Sequence, residues 1–137
     1  MKKIKLVVLF SLGFLFVGCS GMSSTVDGKT HIFTQKQKCP ALLEMSVNHT
    51  LELTLNENPT TGYGWSLVQP LQLFKVEETY ISNAKKNNDA AVVGKGGSKV
   101  FKFTALQPGE ELIDIKHARA WENDASIDEW TCRVRIS

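Results

Sequence analysis

The chain is poor in the residues that most often build catalytic and metal centres. It has three histidines and three cysteines among 137 residues. His31, His49 and His117 are scattered, and no second ligand stands at metal-binding spacing from any of them. The sequence has no Gly-x-Ser-x-Gly nucleophile elbow, and no pair of carboxylates is marked by its context as an acid–base couple. We therefore expect no metal, no cofactor and no enzymatic activity.

A strong charge of one sign is also missing. The chain carries 16 basic and 14 acidic residues, for a formal net charge of +2. Lys2, Lys3 and Lys5 lie at the N-terminus, and without them 13 basic residues face 14 acidic ones. No basic field is left to attract a phosphate backbone, which argues against a nucleic-acid partner.

Long apolar runs are confined to residues 6–17, a stretch too short to span a bilayer comfortably. It follows the three lysines, as the apolar region of a signal peptide does. The run Phe16-Val17-Gly18-Cys19 is similar to the bacterial lipoprotein cleavage box, which implies that Cys19 is the lipidated first residue of the mature chain. An ordinary signal peptide and an uncleaved anchor are the alternatives. By analogy with enteric bacteria, Ser20 favours the outer membrane.

These features predict three segments along the chain. Residues 1–18 form the lipoprotein signal peptide, and residues 19–30, small and polar after Cys19, form a lipidated, flexible tether. Residues 31–137 form one domain, which is large enough for a hydrophobic core. We expect a monomer held at the cell envelope by its lipid anchor, facing the periplasm or the exterior.

Cys39 and Cys132 are the cysteines of the predicted domain. Export places them in an oxidising compartment, where such a pair tends to form a disulfide. A bridge would close a loop of about 93 residues and stabilise the fold by about 4 kcal/mol in the chain-entropy model. The alternative is a catalytic thiol, but neither cysteine has a neighbouring histidine or helix start that would lower its pKa.

Alternation of apolar and polar residues with a period of two dominates the domain, and no segment of helical length has a convincing period of 3.6. Leu51, Leu53 and Leu55, for example, share one face of a predicted strand. Short strands separated by turn signals favour an all-β, immunoglobulin-like sandwich. The predicted strands are 50–56, 64–69, 72–81, 99–106, 111–119 and 130–136.

The connections between these strands predict where a binding surface lies. If every connection reverses the chain, alternate connections fall at the same end of the sandwich. The long or distinctive ones, 57–63, 82–98 and 120–129, then meet at one end, and two tight turns lie at the other. Loops gathered on a rigid scaffold are a common way to build a binding site.

The loop Asn58-Pro59-Thr60-Thr61-Gly62-Tyr63 is the most informative of the three. Asn58 and Pro59 favour a turn, and Gly62 can adopt the positive φ that closes it. With Gly64 and Trp65 after it, the stretch resembles the NPTTGY loop of the chagasin-like inhibitors of papain-type cysteine peptidases. Trp65 itself begins a strand, so we expect it to pack in the core rather than to touch a partner.

The other two loops carry further parts of the resemblance. Gly94-Lys95-Gly96-Gly97 is similar to the second motif of the family, a glycine-rich loop before a strand, although a flexible hairpin tip is the alternative. Its spacing does not fit a phosphate-binding loop. Arg119-Ala120-Trp121 stands where the family usually has Arg-Pro-Trp. Alanine leaves this loop freer than proline, with an expected loss of roughly 0.4–1 kcal/mol.

The resemblance implies a reversible, non-covalent inhibitor whose three loops enter the active-site cleft of a papain-like peptidase, with Thr60 and Thr61 over the catalytic pair. Two other interpretations stay open: an envelope module that binds or adheres to another protein or glycan, and a thiol enzyme. Arg119 has two possible partners, a carboxylate of the peptidase or one of this domain. The implied peptidase-binding residues are Asn58, Pro59, Thr60, Thr61, Gly62, Tyr63, Gly94, Gly96, Gly97, Arg119 and Trp121.

Overall fold

The computed structural model describes residues 24–25, 28–83, 96–123 and 125–137, and these residues form an almost entirely β structure. The signal peptide, Cys19, and Gly94 and Lys95 of the glycine-rich motif lie outside the described residues. The described strands are β1 (Ser24–Thr25), β2 (Thr30–Thr34), β3 (Leu43–Met45), β4 (Thr50–Glu57), β5 (Tyr63–Leu67), β6 (Phe74–Ser82), β7 (Gly97–Ala105), β8 (Gly109–Arg119) and β9 (Asp128–Ile136).

The strands form two sheets that pack as a sandwich. One sheet has the order β1-β2-β4-β7-β6 and the other the order β3-β9-β8-β5. Most neighbours are antiparallel, but β2 runs parallel to β4 and β3 runs parallel to β9. The predicted immunoglobulin-like, all-β class is confirmed.

The core lies between the sheets and is built by the alternation that the sequence shows. In β4, every second residue from Leu51 to Leu55 is fully buried. Phe101 and Phe103 of β7 contribute the largest fully buried side chains. Trp65 is only 3% exposed, so its predicted place in the core is confirmed.

The first strands were not predicted from the sequence. Residues 24–25 and Thr30 fall within the predicted tether, yet they belong to β1 and β2, which pair with each other. In β2 a buried histidine, His31, takes one of the core positions and hides the apolar alternation. Strand pairing therefore occurs at residues 24–25 and at Thr30, whereas the tether as a whole stays a prediction.

The predicted disulfide between Cys39 and Cys132 is confirmed, with the two Cα atoms 5.2 Å apart. It joins the connection between β2 and β3 to the buried face of β9. The Trp130 indole N–H donates to the Gln37 carbonyl at 3.0 Å, and holds the same connection against β9 a second time.

The strand order places alternate connections at the same end of the sandwich, as predicted. We call the end with the β4–β5, β6–β7 and β8–β9 connections the loop pole. There the Arg119 side chain reaches the Thr61 carbonyl, and the Gly96 backbone lies close to Asn58. At the opposite end, the turn pole, the Leu106 N–H donates to the Leu73 carbonyl and so joins the two tight turns.

Candidate functional site

The loop between β4 and β5 is a single 3₁₀ turn, Pro59–Thr61, which is closed by local hydrogen bonds. The Asn58 side-chain oxygen accepts from the Thr60 N–H at 3.2 Å and from the Thr60 hydroxyl at 2.7 Å. The Thr61 hydroxyl donates to the Asn58 carbonyl at 2.7 Å. The Asn58 side chain therefore caps the turn, and Thr60 and Thr61 lie at its exposed tip, where no side chain is charged.

Gly62 ends this turn in the left-handed region, with φ of 79°. Its N–H donates to the Pro59 carbonyl at 3.1 Å. The ring of Trp121 lies against its α-carbon so closely that an added Cβ would overlap the ring. Glycine is needed here for two reasons, its backbone angle and the seat it offers to Trp121.

Trp121 is 70% exposed although its ring rests on Gly62. This is an unusual position for the largest apolar side chain, because burial of tryptophan is strongly favourable. Large aromatic side chains that are held in place at a surface are frequent anchors of protein interfaces. The resemblance places Trp121 among the peptidase-binding residues, and its exposure leaves the ring accessible to a partner; the contact itself stays a prediction.

Arg119 finds its partners within its own domain. Its Nε donates to the Thr61 carbonyl and its Nη1 to Glu122 Oε1, each at 3.1 Å. Its guanidinium also lies over the Tyr63 ring, 4.2 Å from the centroid. Of the two partners left open by the sequence, the structure shows an internal carboxylate. Arg119 thus braces the 58–62 loop from the β8 side.

Tyr63 is half-buried at the first position of β5, where it lies beside His117 of β8. The His117 ring is stacked on the Trp65 ring at 4.5 Å between centroids and 7° between planes. Its Nε2 atom is buried and has no hydrogen-bond partner among the described residues. Burial lowers the pKa of His117, although the carboxylates of Glu57 and Asp128 act in the opposite direction.

Buried His31 and half-buried His117 predict a loss of stability in acid. Burial also lowers the pKa of His31, with a smaller contribution from the charge of His49. Below the ordinary pKa of about 6.5, the unfolded chain therefore binds more protons than the folded one, and stability falls as pH drops from that value through the folded-state pKa values. We expect the melting temperature to decrease between pH 7.5 and pH 5. In His117→Phe, which keeps a ring against Trp65, the decrease should be smaller; an equal decrease would contradict the assignment.

Of the glycine-rich loop between β6 and β7, the structure describes the two ends, at Asn83 and at Gly96. Asn83 N–H donates to the Gly96 carbonyl at 3.1 Å and so begins the ladder between β6 and β7. Gly97 is buried, and a Cβ there would overlap the Tyr80 ring and the Ile81 carbonyl. Glycine is therefore favoured at position 97 because β6 of the same domain lies very close to its α-carbon. That Gly96 and Gly97 contact a partner stays a prediction.

Two residues that the sequence did not single out hold the loop pole together. Gln35, just after β2, accepts from the Asn56 N–H at 3.1 Å and donates to Asp128 Oδ2 at 2.8 Å. Glu57 accepts from the Trp65 N–H at 2.7 Å. Their partners lie up to 93 residues away. No local pattern in the sequence could have indicated such contacts.

The loop pole has a shallow concavity of about 580 Å³ between the three connections. Asparagine and glycine line much of it, together with Tyr63, His117 and the exposed Ile127. Within the described ranges, no group of three or more histidine, cysteine or acidic residues could hold a metal ion. In the same ranges, no helical segment has the length and apolar content of a membrane span. The arrangement is suited to contact with another protein.

Known proteins resemble this chain in sequence and in fold. Amoebiasin-2 of Entamoeba histolytica is 28% identical over 92 residues, which are 67% of this chain and 72% of that protein. Chagasin of Trypanosoma cruzi is 29% identical over 95 residues, 65% of this chain and 82% of chagasin.

Among solved structures, the crystal structure of the cysteine protease inhibitor EhICP2 from Entamoeba histolytica superposes with a TM-score of 0.61 at 25% identity. The match covers 79% of this chain and 95% of that one. Leishmania mexicana ICP shares the fold with a TM-score of 0.56 at 20% identity, over 86% of this chain and 99% of the other.

The family model described as Chagasin family peptidase inhibitor I42 matches residues 44–136. This match begins in β3, ends with β9 and includes every connection of the loop pole. It therefore covers about two thirds of the sequence and all of the candidate surface. The chain belongs to the chagasin family of peptidase inhibitors.

Proposed function

We propose that this protein inhibits papain-like cysteine peptidases reversibly and without a covalent bond, by placing its loop pole in the active-site cleft. Membership of a peptidase-inhibitor family makes it an inhibitor and not an enzyme. The same membership favours inhibition over the alternative of an envelope adhesion module. The disulfide between Cys39 and Cys132 removes both cysteines as free thiols, which argues against a thiol enzyme.

The observation that carries the proposal is the shape of the loop pole. An exposed turn without charge, Pro59–Thr61, projects beside the 70% exposed ring of Trp121. The turn is already ordered by its own hydrogen bonds, so little conformational entropy is lost when it binds. This arrangement gives a rigid wedge with one aromatic anchor at its side.

The uncharged tip suits the centre that it would cover. A catalytic cysteine and histidine form a thiolate–imidazolium pair, which loses its water when an inhibitor closes over it. A charged side chain at the tip would be buried there without a partner, at a cost of several kcal/mol. The hydroxyls of Thr60 and Thr61 fill the space and can still form hydrogen bonds.

The test is a titration of papain and of a cathepsin L-type peptidase with the purified full-length protein, read with a fluorogenic substrate. We expect tight, competitive inhibition that is lost on dilution. The absence of inhibition at micromolar protein would contradict the proposal and would favour an envelope-binding module.

We also propose that Cys19 is lipidated and anchors the protein in the bacterial cell envelope, at the outer membrane. The support is the cleavage-box sequence that ends at Cys19 and a disulfide that suits an exported protein. Metabolic labelling with a fatty acid tests this, because the label should be absent from Cys19→Ala. A label that persists in this variant would exclude the assignment.

A further inference from the structure

Glu57 lies at the base of the loop pole, directly before the 58–62 loop. It is the last residue of β4, where it pairs with Gly97, the first residue of β7. The 58–62 loop begins immediately after it. The backbone of Glu57 therefore belongs to the base of one loop and lies beside the end of another.

The side chain of Glu57 joins the two sheets. Its Oε2 atom accepts from the N–H of Trp65, in β5 of the opposite sheet, at 2.7 Å. A second bond runs between the same two segments, because the Trp65 indole N–H donates to the Asn56 carbonyl at 2.8 Å. Together these bonds fix the strand that enters the 58–62 loop to the strand that leaves it.

The Trp65 N–H depends on a side chain because β5 is an edge strand. On one side β5 pairs with β8, and the Trp65 N–H points to the other side, where Glu57 accepts from it. A partly buried N–H without an acceptor is costly, and a carboxylate is a stronger acceptor than a neutral group. Loss of the carboxylate would release the Trp65 N–H and so loosen the start of β5, where the chain leaves the 58–62 loop.

Glu57 also contacts the surroundings of the other two loops. Its carbonyl lies 3.1 Å from the point that a Cβ on Gly96 would occupy, so the glycine-rich connection passes directly over it. Its charge acts on His117, which lies in β8 two residues before the end of that strand. Glu57 and His117 line the same concavity of the loop pole as Ile127 of the β8–β9 connection, so this one residue lies near parts of all three connections.

We propose that Glu57 is the positioning residue of the inhibitory surface: its bond to the Trp65 N–H holds the 58–62 loop in register with the neighbouring connections. Glu57 does so from beneath the loops, whereas Thr60, Thr61 and Trp121 form the exposed surface. The proposal rests on the inhibitory function proposed above. It adds a residue that neither the motif comparison nor the sequence pattern identified.

The chain offers a matched control at the turn pole. There the Glu111 carboxylate accepts from the backbone N–H groups of Gln72 and Leu73 at 2.7 and 2.9 Å. The chemistry is the same as at Glu57, a carboxylate that holds backbone N–H groups of another segment. The two sites differ in their position relative to the loops and in the number of bonds, which is two at Glu111 and one at Glu57. Glu111→Ala therefore reports the structural effect of losing a contact at least as large as the one at Glu57.

The experiment compares Glu57→Ala, Glu57→Gln and Glu111→Ala with the wild type, each as the full-length protein. We expect Glu57→Ala to weaken papain inhibition about tenfold or more. Glu57→Gln keeps an acceptor oxygen and should recover most of the affinity. Glu111→Ala should lower the melting temperature as Glu57→Ala does but inhibit papain like the wild type.

Hydrogen exchange provides a second measurement that does not depend on a peptidase. The Thr61 and Gly62 amides should exchange faster in Glu57→Ala and remain protected in Glu111→Ala. Unchanged exchange at these two amides, or equal losses of inhibition in both alanine variants, would overturn the positioning role. If the wild type fails to inhibit any cysteine peptidase, the proposed function is wrong, and exchange alone decides whether Glu57 positions the loop.

Discussion

Replacement of Thr61 with glutamate is expected to abolish inhibition of papain. The side chain of Thr61 lies at the exposed tip of the Pro59–Thr61 turn. In the complex, the new carboxylate would be buried against the catalytic pair without a compensating partner. Such a charge costs about 3–5 kcal/mol, which corresponds to at least about a hundredfold in the inhibition constant.

The fold should survive this change. The Thr61 hydroxyl donates to the Asn58 carbonyl and accepts from the Tyr63 N–H at 3.3 Å, so its loss should cost about 1 kcal/mol of stability. Gln69→Glu is the matched control, because it adds the same charge on the exposed surface toward the turn pole. Inhibition titrations and thermal unfolding of both variants decide the matter. A Thr61→Glu variant that inhibits papain like the wild type would show that this loop does not enter the cleft.

Removal of the disulfide is expected to have the largest effect on stability. Cys39 and Cys132 are separated by 93 residues, and the chain-entropy model gives about 4 kcal/mol for a loop of that length. The double variant Cys39→Ser/Cys132→Ser loses this constraint on the unfolded chain. We expect the denaturant concentration at the midpoint of unfolding to fall. The decrease should equal this energy divided by the slope of unfolding free energy against denaturant concentration.

The wild type with its disulfide reduced is the control for the two serine substitutions. It should unfold at nearly the same denaturant concentration as the double variant. A loss below about 1 kcal/mol in both proteins would mean that the native contacts of the β2–β3 connection already hold it. One such contact is the bond from the Trp130 indole N–H to the Gln37 carbonyl.

The sequence predicted the strands from β4 to β9 within about two residues, because β4, β7, β8 and β9 carry a period-two pattern and turn signals bound β5 and β6. It also predicted that three connections meet at one end, because that follows from chain reversal alone. Tyr63 was placed in a loop, and it begins β5 instead. The difference arises because Gly62 has already closed the turn, so pairing with β8 starts one residue earlier.

Parallel pairing and long-range contacts could not be predicted. β2 and β3 are short and pair in parallel with strands that are distant in sequence, so no hairpin signal marks them. The partners of Arg119 depend on the position of Thr61, 58 residues away. Contact of Gly97 with a partner stays a prediction, and the neighbours that favour glycine there within the domain, Tyr80 and Ile81, could not be read from the sequence. In each case, the decisive group belongs to another strand or loop.

The closed turn at Asn58 has a consequence for the lifetime of the protein beside a peptidase. Exposed loop tips are the usual sites of proteolytic nicking, and cleavage requires that the backbone first open locally. At this tip the N–H groups of Thr60, Thr61 and Gly62 are all engaged by Asn58 or Pro59. A peptidase that receives the turn would have to break these bonds before it could stretch the chain along its cleft. If the loop enters a peptidase cleft as proposed, the hydrogen bonds that shape the wedge would therefore slow its digestion, and one molecule would survive many encounters.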